Sequence, residues 1–277
     1  MRFPRLMLAG VVAIGMVVGL HTPAGSAVAP THYYVALGDS LSRGYLPGQG
    51  DTDQGYVDYL YATLHAKDPS LQLVKLGCSG ETTATMINGG RCAYPAGSQL
   101  AAAGQFLAAH RADVEYLTLD IGANDVNGCA PGGRFERTCL AAGAGTITQN
   151  LNTILSRLKA ADGGLPQSAG MTYYDSFLAY WLTGGQGQAM AAASVVLLSG
   201  INAAETAEYK HYGFTVADVF TAFQTPNLQP INVPGFGTAP ANVATICRLT
   251  FLCDLHDVHA NAAGYQLIAK TFAAKFS

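Results

Sequence analysis

Charged side chains are scarce in this sequence: 12% of 277 residues, 15 basic against 18 acidic, for a formal net charge of -3. So few cations cannot build the basic face that nucleic acid requires. There is no G-x-S-x-G elbow, which argues against the α/β-hydrolase architecture. The absence of H-E-x-x-H and of a phosphate-binding G-x-x-x-x-G-K-[ST] loop removes the commonest metalloprotease and nucleotide readings. No proline- or serine-rich linker, internal repeat or compositional break follows the first thirty residues, so a single domain over residues 30–277 is the simplest organisation. Glycine is abundant, at 32 residues, but without a G-X-Y period, which excludes collagen. Hydrophobic residues, at 49%, are enough for a large core.

The N-terminus has its own logic. Arg2 and Arg5 precede an uncharged apolar run from Leu6 to Leu20, and small residues follow at Ala24, Gly25, Ser26, Ala27 and Ala29. This is the layout of a secretory signal peptide over residues 1–29, cleaved near Ala27 to Ala29. The run is short for a full membrane span of roughly 20 residues, so no stable anchor is expected after cleavage. No other stretch reads as long and apolar enough to span. The mature chain carries a charge near -5, since it loses both arginines, and is expected outside the cell.

Six cysteines suit that destination. They allow 15 pairings, of which the sequential one closes three local loops: Cys78–Cys92, Cys129–Cys139 and Cys247–Cys253. A zinc site is the rival reading, but no C-x-x-C or H-x-x-x-H spacing supports it.

Short apolar runs at 33–37, 71–76, 114–121, 171–174 and 214–219 read as strands, three of them closed by glycine. Helical spacing occupies 56–65, 98–110, 146–161, 188–209 and 263–276, with Ser98 as an N-cap. Such alternation predicts a parallel sheet with helices on both faces. Ligands of such sheets bind in the loops at the carboxyl ends of the strands. Residues 227–242, with Pro230, Pro234 and Pro240, read as a long surface loop near the site.

Four constellations occupy strand ends or loops. Gly38-Asp39-Ser40-Leu41-Ser42 follows the first strand and exposes a serine at a strand-to-helix turn. Gly77-Cys78-Ser79-Gly80-Glu81-Thr82-Thr83 follows the second, where a glycine N–H can donate to an anion. Asp120-Ile121-Gly122-Ala123-Asn124-Asp125 follows the third and offers an amide donor. His256-Asp257-Val258-His259 precedes the last helix and supplies an imidazole. Each alone is ordinary turn or cap chemistry.

Together and in this order they resemble the SGNH (GDSL-type) hydrolase superfamily, from Tyr33 to Tyr265. The likeness is greatest to secreted actinobacterial-type esterases and lipases, through Tyr34-Val35-Ala36-Leu37-Gly38-Asp39-Ser40, the Cys-x-Gly-Glu-Thr-Thr segment and Ile121-Gly122-Ala123-Asn124-Asp125. The resemblance implies a three-layer α/β/α sandwich around a five-stranded parallel, flavodoxin-like sheet. It implies that Ser40 is the nucleophile and His259 the general base. It further implies an oxyanion hole made by the backbone N–H groups of Ser40 and Gly80 and the side-chain amide of Asn124. Neither metal nor cofactor is implied. The partner is a small-molecule or lipid ester, and a monomer is expected.

One departure stands out. Family members usually carry an acid three residues before the histidine, and here that position is His256. Asp257 is one group that can orient His259; a backbone carbonyl, leaving a Ser–His dyad, is the other. Asp39 and Asp125 read as acceptors for loop N–H groups, and Asp51 and Asp53 as a solvated turn rather than a calcium loop. Tyr173, Tyr174, Phe177, Tyr180 and Trp181 suit an acyl pocket or the core equally. Two other functions share the pattern: a carbohydrate acetylesterase, and a catalytically silent lipid- or carbohydrate-binding protein on the same fold.

Overall fold

The computed structural model describes residues 31–131, 134–164, 166–233 and 237–277. The expected signal peptide lies outside these. Five parallel strands make the sheet, in the order β2-β1-β3-β4-β5: β1 (His32–Gly38), β2 (Leu71–Lys75), β3 (Val114–Asp120), β4 (Gln167–Met171) and β5 (Thr215–Ala217). Among the described residues the helices are α1 (Tyr56–His65), α2 (Thr83–Asn88), α3 (Gln99–Ala109), α4 (Ala123–Val126), α5 (Arg137–Asp162), α6 (Gly185–His211), α7 (Val219–Ala222), α8 (Ala241–Leu249), α9 (Leu252–Leu255) and α10 (Ala262–Ala273), with a 3-10 helix at Ser176–Thr183.

Strand periodicity builds the layers. Along β1, Tyr34 and Ala36 face a cluster with Tyr56, Leu60, Tyr265 and Phe272 from α1 and α10. Val35 and Leu37 face the opposite cluster, with Leu100 and Leu107 of α3 and Ile147, Leu151 and Leu155 of α5. Both faces are covered, which is why β1 and β3 are nearly continuous apolar runs rather than alternating ones. The result is the three-layer sandwich. Its strand order reverses between β1 and β3, the position where flavodoxin-like sheets open a crevice at the strands' carboxyl ends.

Several local expectations shift. The fourth strand is Gln167–Met171, not 171–174. Its Ser168, Ala169 and Gly170 carry little apolar signal, yet they are buried because the ring of Tyr209 fills the space over Gly170. The aromatic Tyr173-Tyr174 pair therefore lies beyond the strand, in a loop. The fifth strand stops at Ala217 because Asp218 caps α7, its Oδ1 accepting from the N–H of Thr221 at 3.0 Å. Residues 227–242 are not a plain loop: β6 (Pro230–Val233) pairs antiparallel with β7 (Gly237–Pro240), and α8 begins at once. Helix α5 starts nine residues earlier than its apolar stripe, through a run of alanine and glycine. Helix α6 has 27 residues and, by length and composition only, is apolar enough to cross a membrane, its most apolar 18-residue stretch having a mean hydropathy of 1.3, contrary to the expectation that nothing beyond the leader is. Val195, Val196, Leu197, Leu198 and Ile201 supply most of that score; Ser194, Asn202 and Glu205 are polar and buried.

Candidate active site

The turn after β1 is forced by Gly38. Its φ is +141°, and a Cβ there would lie 2.2 Å from Oδ1 of Asp120, so no other residue fits. Gln99 grips both sides of this peptide: its Oε1 accepts from the Gly38 N–H at 2.7 Å and its Nε2 donates to the Gly38 carbonyl at 3.0 Å. Asp39 then folds inward, accepting from the Leu41 N–H at 2.9 Å and the Tyr173 hydroxyl at 2.9 Å. With its neighbour held this way, Ser40 faces the cavity.

His259 arrives from the other end of the chain. The loop carrying it is tied to the body by an antiparallel bridge between Thr250 and Ala260 and by the Tyr174 hydroxyl, which donates to the Val258 carbonyl at 2.7 Å. The Tyr45 ring lies against the imidazole, centroids 4.3 Å apart. His259 Nε2 stands 2.8 Å from Ser40 Oγ, and Nδ1 stands 2.7 Å from Asp257 Oδ1. That same Oδ1 accepts the backbone N–H of His259 at 2.9 Å. A carboxylate on Nδ1 holds the proton there and leaves Nε2 as the acceptor for the serine hydroxyl.

Gly80 and Asn124 line the same cavity. Asn124 Nδ2 donates one hydrogen to the Glu81 carbonyl at 2.9 Å, which fixes the amide plane and leaves the other hydrogen for a ligand. Among the described residues, no protein acceptor takes the N–H of Ser40 or of Gly80. The loop bearing Asn124 is anchored by Asp125, whose carboxylate accepts from the N–H and hydroxyl of Thr83 at 2.9 and 2.6 Å. Burial raises the Asp125 carboxyl above its usual range, against these hydrogen bonds. Below the site, burial and the proximity of Asp39 push the Asp120 carboxyl well above its usual range.

The six cysteines lie as the three sequential pairs, with Cα separations of 6.1, 5.4 and 5.2 Å. The Cys78–Cys92 link braces the Gly80 segment. Asp51 and Asp53 pair with Arg43 and Lys75. Phe177, Tyr173 and Tyr174 line the cavity, while Tyr180 borders an adjoining one and Trp181 packs on the core. His256 is exposed, with a left-handed φ of 54°. Away from the site, His32 Nδ1 lies 2.7 Å from Asp68 and 3.1 Å from Glu115, the one described trio with metal-ligand types in reach of one another.

Sequence reading missed Gln99, Tyr45 and Glu205. Gln99 carried a signal, being a polar residue one turn before Ala103 on the buried stripe of α3. Glu205 carried one too, on the stripe with Asn202 and Tyr209. Tyr45 carried none.

The sequence matches the GDSL-like Lipase/Acylhydrolase family over residues 36–267, a span that includes Ser40, Gly80, Asn124 and His259. The chain belongs to this family. Solved structures share its fold. An extracellular lipase from Streptomyces rimosus is 19% identical, with a TM-score of 0.55, covering 88% of this chain and all of that one. A lipase/acylhydrolase from Enterococcus faecalis is 15% identical, with a TM-score of 0.51 and coverage of 88% and 95%. An acetyl xylan esterase, AlAXEase, is 15% identical, with a TM-score of 0.52 and coverage of 87% and 98%. Among curated proteins none matches. Membership in this hydrolase family gives the Ser40–His259 contact a chemical setting.

Proposed function

We propose that the chain is an exported serine esterase that cleaves carboxylic esters through an acyl-enzyme on Ser40. The observation that carries this is the line Ser40 Oγ, His259 Nε2, His259 Nδ1, Asp257 Oδ1, joined by contacts of 2.8 and 2.7 Å across 219 positions of sequence. His259 takes the hydroxyl proton as Oγ attacks the ester carbonyl. Negative charge gathers on the carbonyl oxygen, where the N–H groups of Ser40 and Gly80 and the Asn124 amide receive it. His259 then returns the proton to the leaving alkoxide. Water, deprotonated by the same nitrogen, releases the acid. Asp257 stabilises the imidazolium formed at each step, which makes it, rather than a carbonyl, the third member.

The cavity beside Ser40 encloses about 270 Å³. Ala123, Val126, Phe177, Leu198 and Ile201 give it apolar walls suited to an acyl group. Export is supported by the leader-like residues 1–29 and by the paired cysteines. The mature enzyme is proposed to work as a monomer without a membrane anchor, helix α6 packing against the 3-10 helix and α5. Hydrolysis of p-nitrophenyl acetate and butyrate by wild type, Ser40→Ala and His259→Ala tests the reading. Both variants should fold and lose turnover; equal slow release by all three would favour a binding protein instead.

A further inference from the structure

Glu205 sits in the wall of the catalytic cavity and is only 1% exposed. Among the described residues, neither of its carboxyl oxygens has a hydrogen-bond partner. An unsatisfied buried carboxyl is costly to keep, and a folded protein retains one where something else supplies the partner. Its immediate neighbour is Gly122, where a Cβ would come within 2.6 Å of Oε1. Gly122 has a φ of +131° and opens the turn that presents Asn124. The carboxyl therefore stands directly behind the oxyanion loop, in a wall whose other members, Leu198 and Ile201 of the same helix, are apolar.

We propose that Glu205 is the polar contact of the acyl subsite and selects acyl groups that carry an ether or hydroxyl oxygen over alkyl chains of the same length. This rests on the esterase reading above. Burial, together with Asp125 and Asp39, holds the carboxyl well above its ordinary range. In that neutral form it offers one O–H donor and acceptor lone pairs. An oxygen in the acyl chain meets that donor. A plain alkanoyl chain seats against it and leaves it unpaired, and sites built around a hydrogen bond discriminate strongly against ligands that lack it.

The test compares p-nitrophenyl pentanoate with ethoxyacetate and 3-methoxypropanoate, and hexanoate with 4-methoxybutanoate. In each pair oxygen replaces one methylene. Each kcat/KM is divided by the hydroxide-catalysed rate of the same ester, which removes intrinsic reactivity. Wild type should prefer at least one oxygen position by about tenfold or more. Glu205→Gln keeps a donor and should keep most of that preference. Glu205→Leu should bring the ratio near one, its folding checked by thermal unfolding against wild type. Glu205→Met repeats the comparison if the leucine variant does not fold. Wild-type ratios near one at every position, meaning that Glu205 serves a buried water only, would overturn the proposal. So would an unchanged ratio in the folded apolar variant. Failure of wild type to hydrolyse the acetate would instead sink the esterase reading, and the proposal with it.

Discussion

Asp257 Oδ1 accepts from both the backbone N–H and the ring of His259, two residues further along the chain. The pairing is local, so the loop sets the imidazole's orientation before it meets Ser40. Asp257→Asn would present an amide to Nδ1 and favour the wrong tautomer. The expected loss in kcat/KM on p-nitrophenyl butyrate is roughly 10²–10⁴-fold, with thermal stability nearly unchanged. A loss below about tenfold would return the orienting role to a carbonyl.

Asn124→Ala removes a donor that meets its acceptor only as charge develops. kcat should fall by about 10²–10³-fold while KM moves little, because the ground-state carbonyl gains little from that amide. Steady-state kinetics on the same ester decides it. A rise in KM at constant kcat would make Asn124 a substrate-binding residue instead.

Gly38→Ala combines a backbone conformation that L residues avoid with a collision against Asp120. Stability should drop by at least about 2 kcal/mol, read from the urea midpoint at constant m-value. A variant as stable as wild type would show that the turn before Ser40 is free to relax.

The meeting of Ser40 with His259 was legible through the family resemblance: Gly38 marks the strand end before Ser40, and the loop before α10 carries His259. Asp257 was half-legible: its spacing from His259 fits no family habit, and only the loop's folding shows one oxygen serving both nitrogens. The fourth strand was misplaced because burial there comes from covering helices, not from the residues' own hydrophobicity. Glu205 was overlooked because α6 reads first by its alanines and its Val195–Leu198 run, although Asn202, Glu205 and Tyr209 share one buried stripe.

Asp175 is fully buried and caps the segment after β4, its Oδ1 accepting from the Phe177 N–H at 2.9 Å. Burial raises its carboxyl to about 6 from 3.8. The folded state therefore holds its proton where the unfolded chain has lost it. This group's contribution is full below about pH 4, declines through pH 6 and is gone above. Asp175→Asn keeps the accepting oxygen and cannot ionise. The variant should lose that decline, gaining on the order of 2–3 kcal/mol relative to wild type at pH 7 compared with pH 4. Parallel denaturant curves for both proteins across this range would refute the assignment.

The most direct measurement is peptide mapping after reaction with a fluorophosphonate, which labels a serine only when base and oxyanion donors surround it. The account predicts a single adduct on the peptide containing Ser40, abolished in His259→Ala and formed in proportion to lost esterase activity. Full inactivation with the label on another residue, or active enzyme that never labels at Ser40, would contradict it.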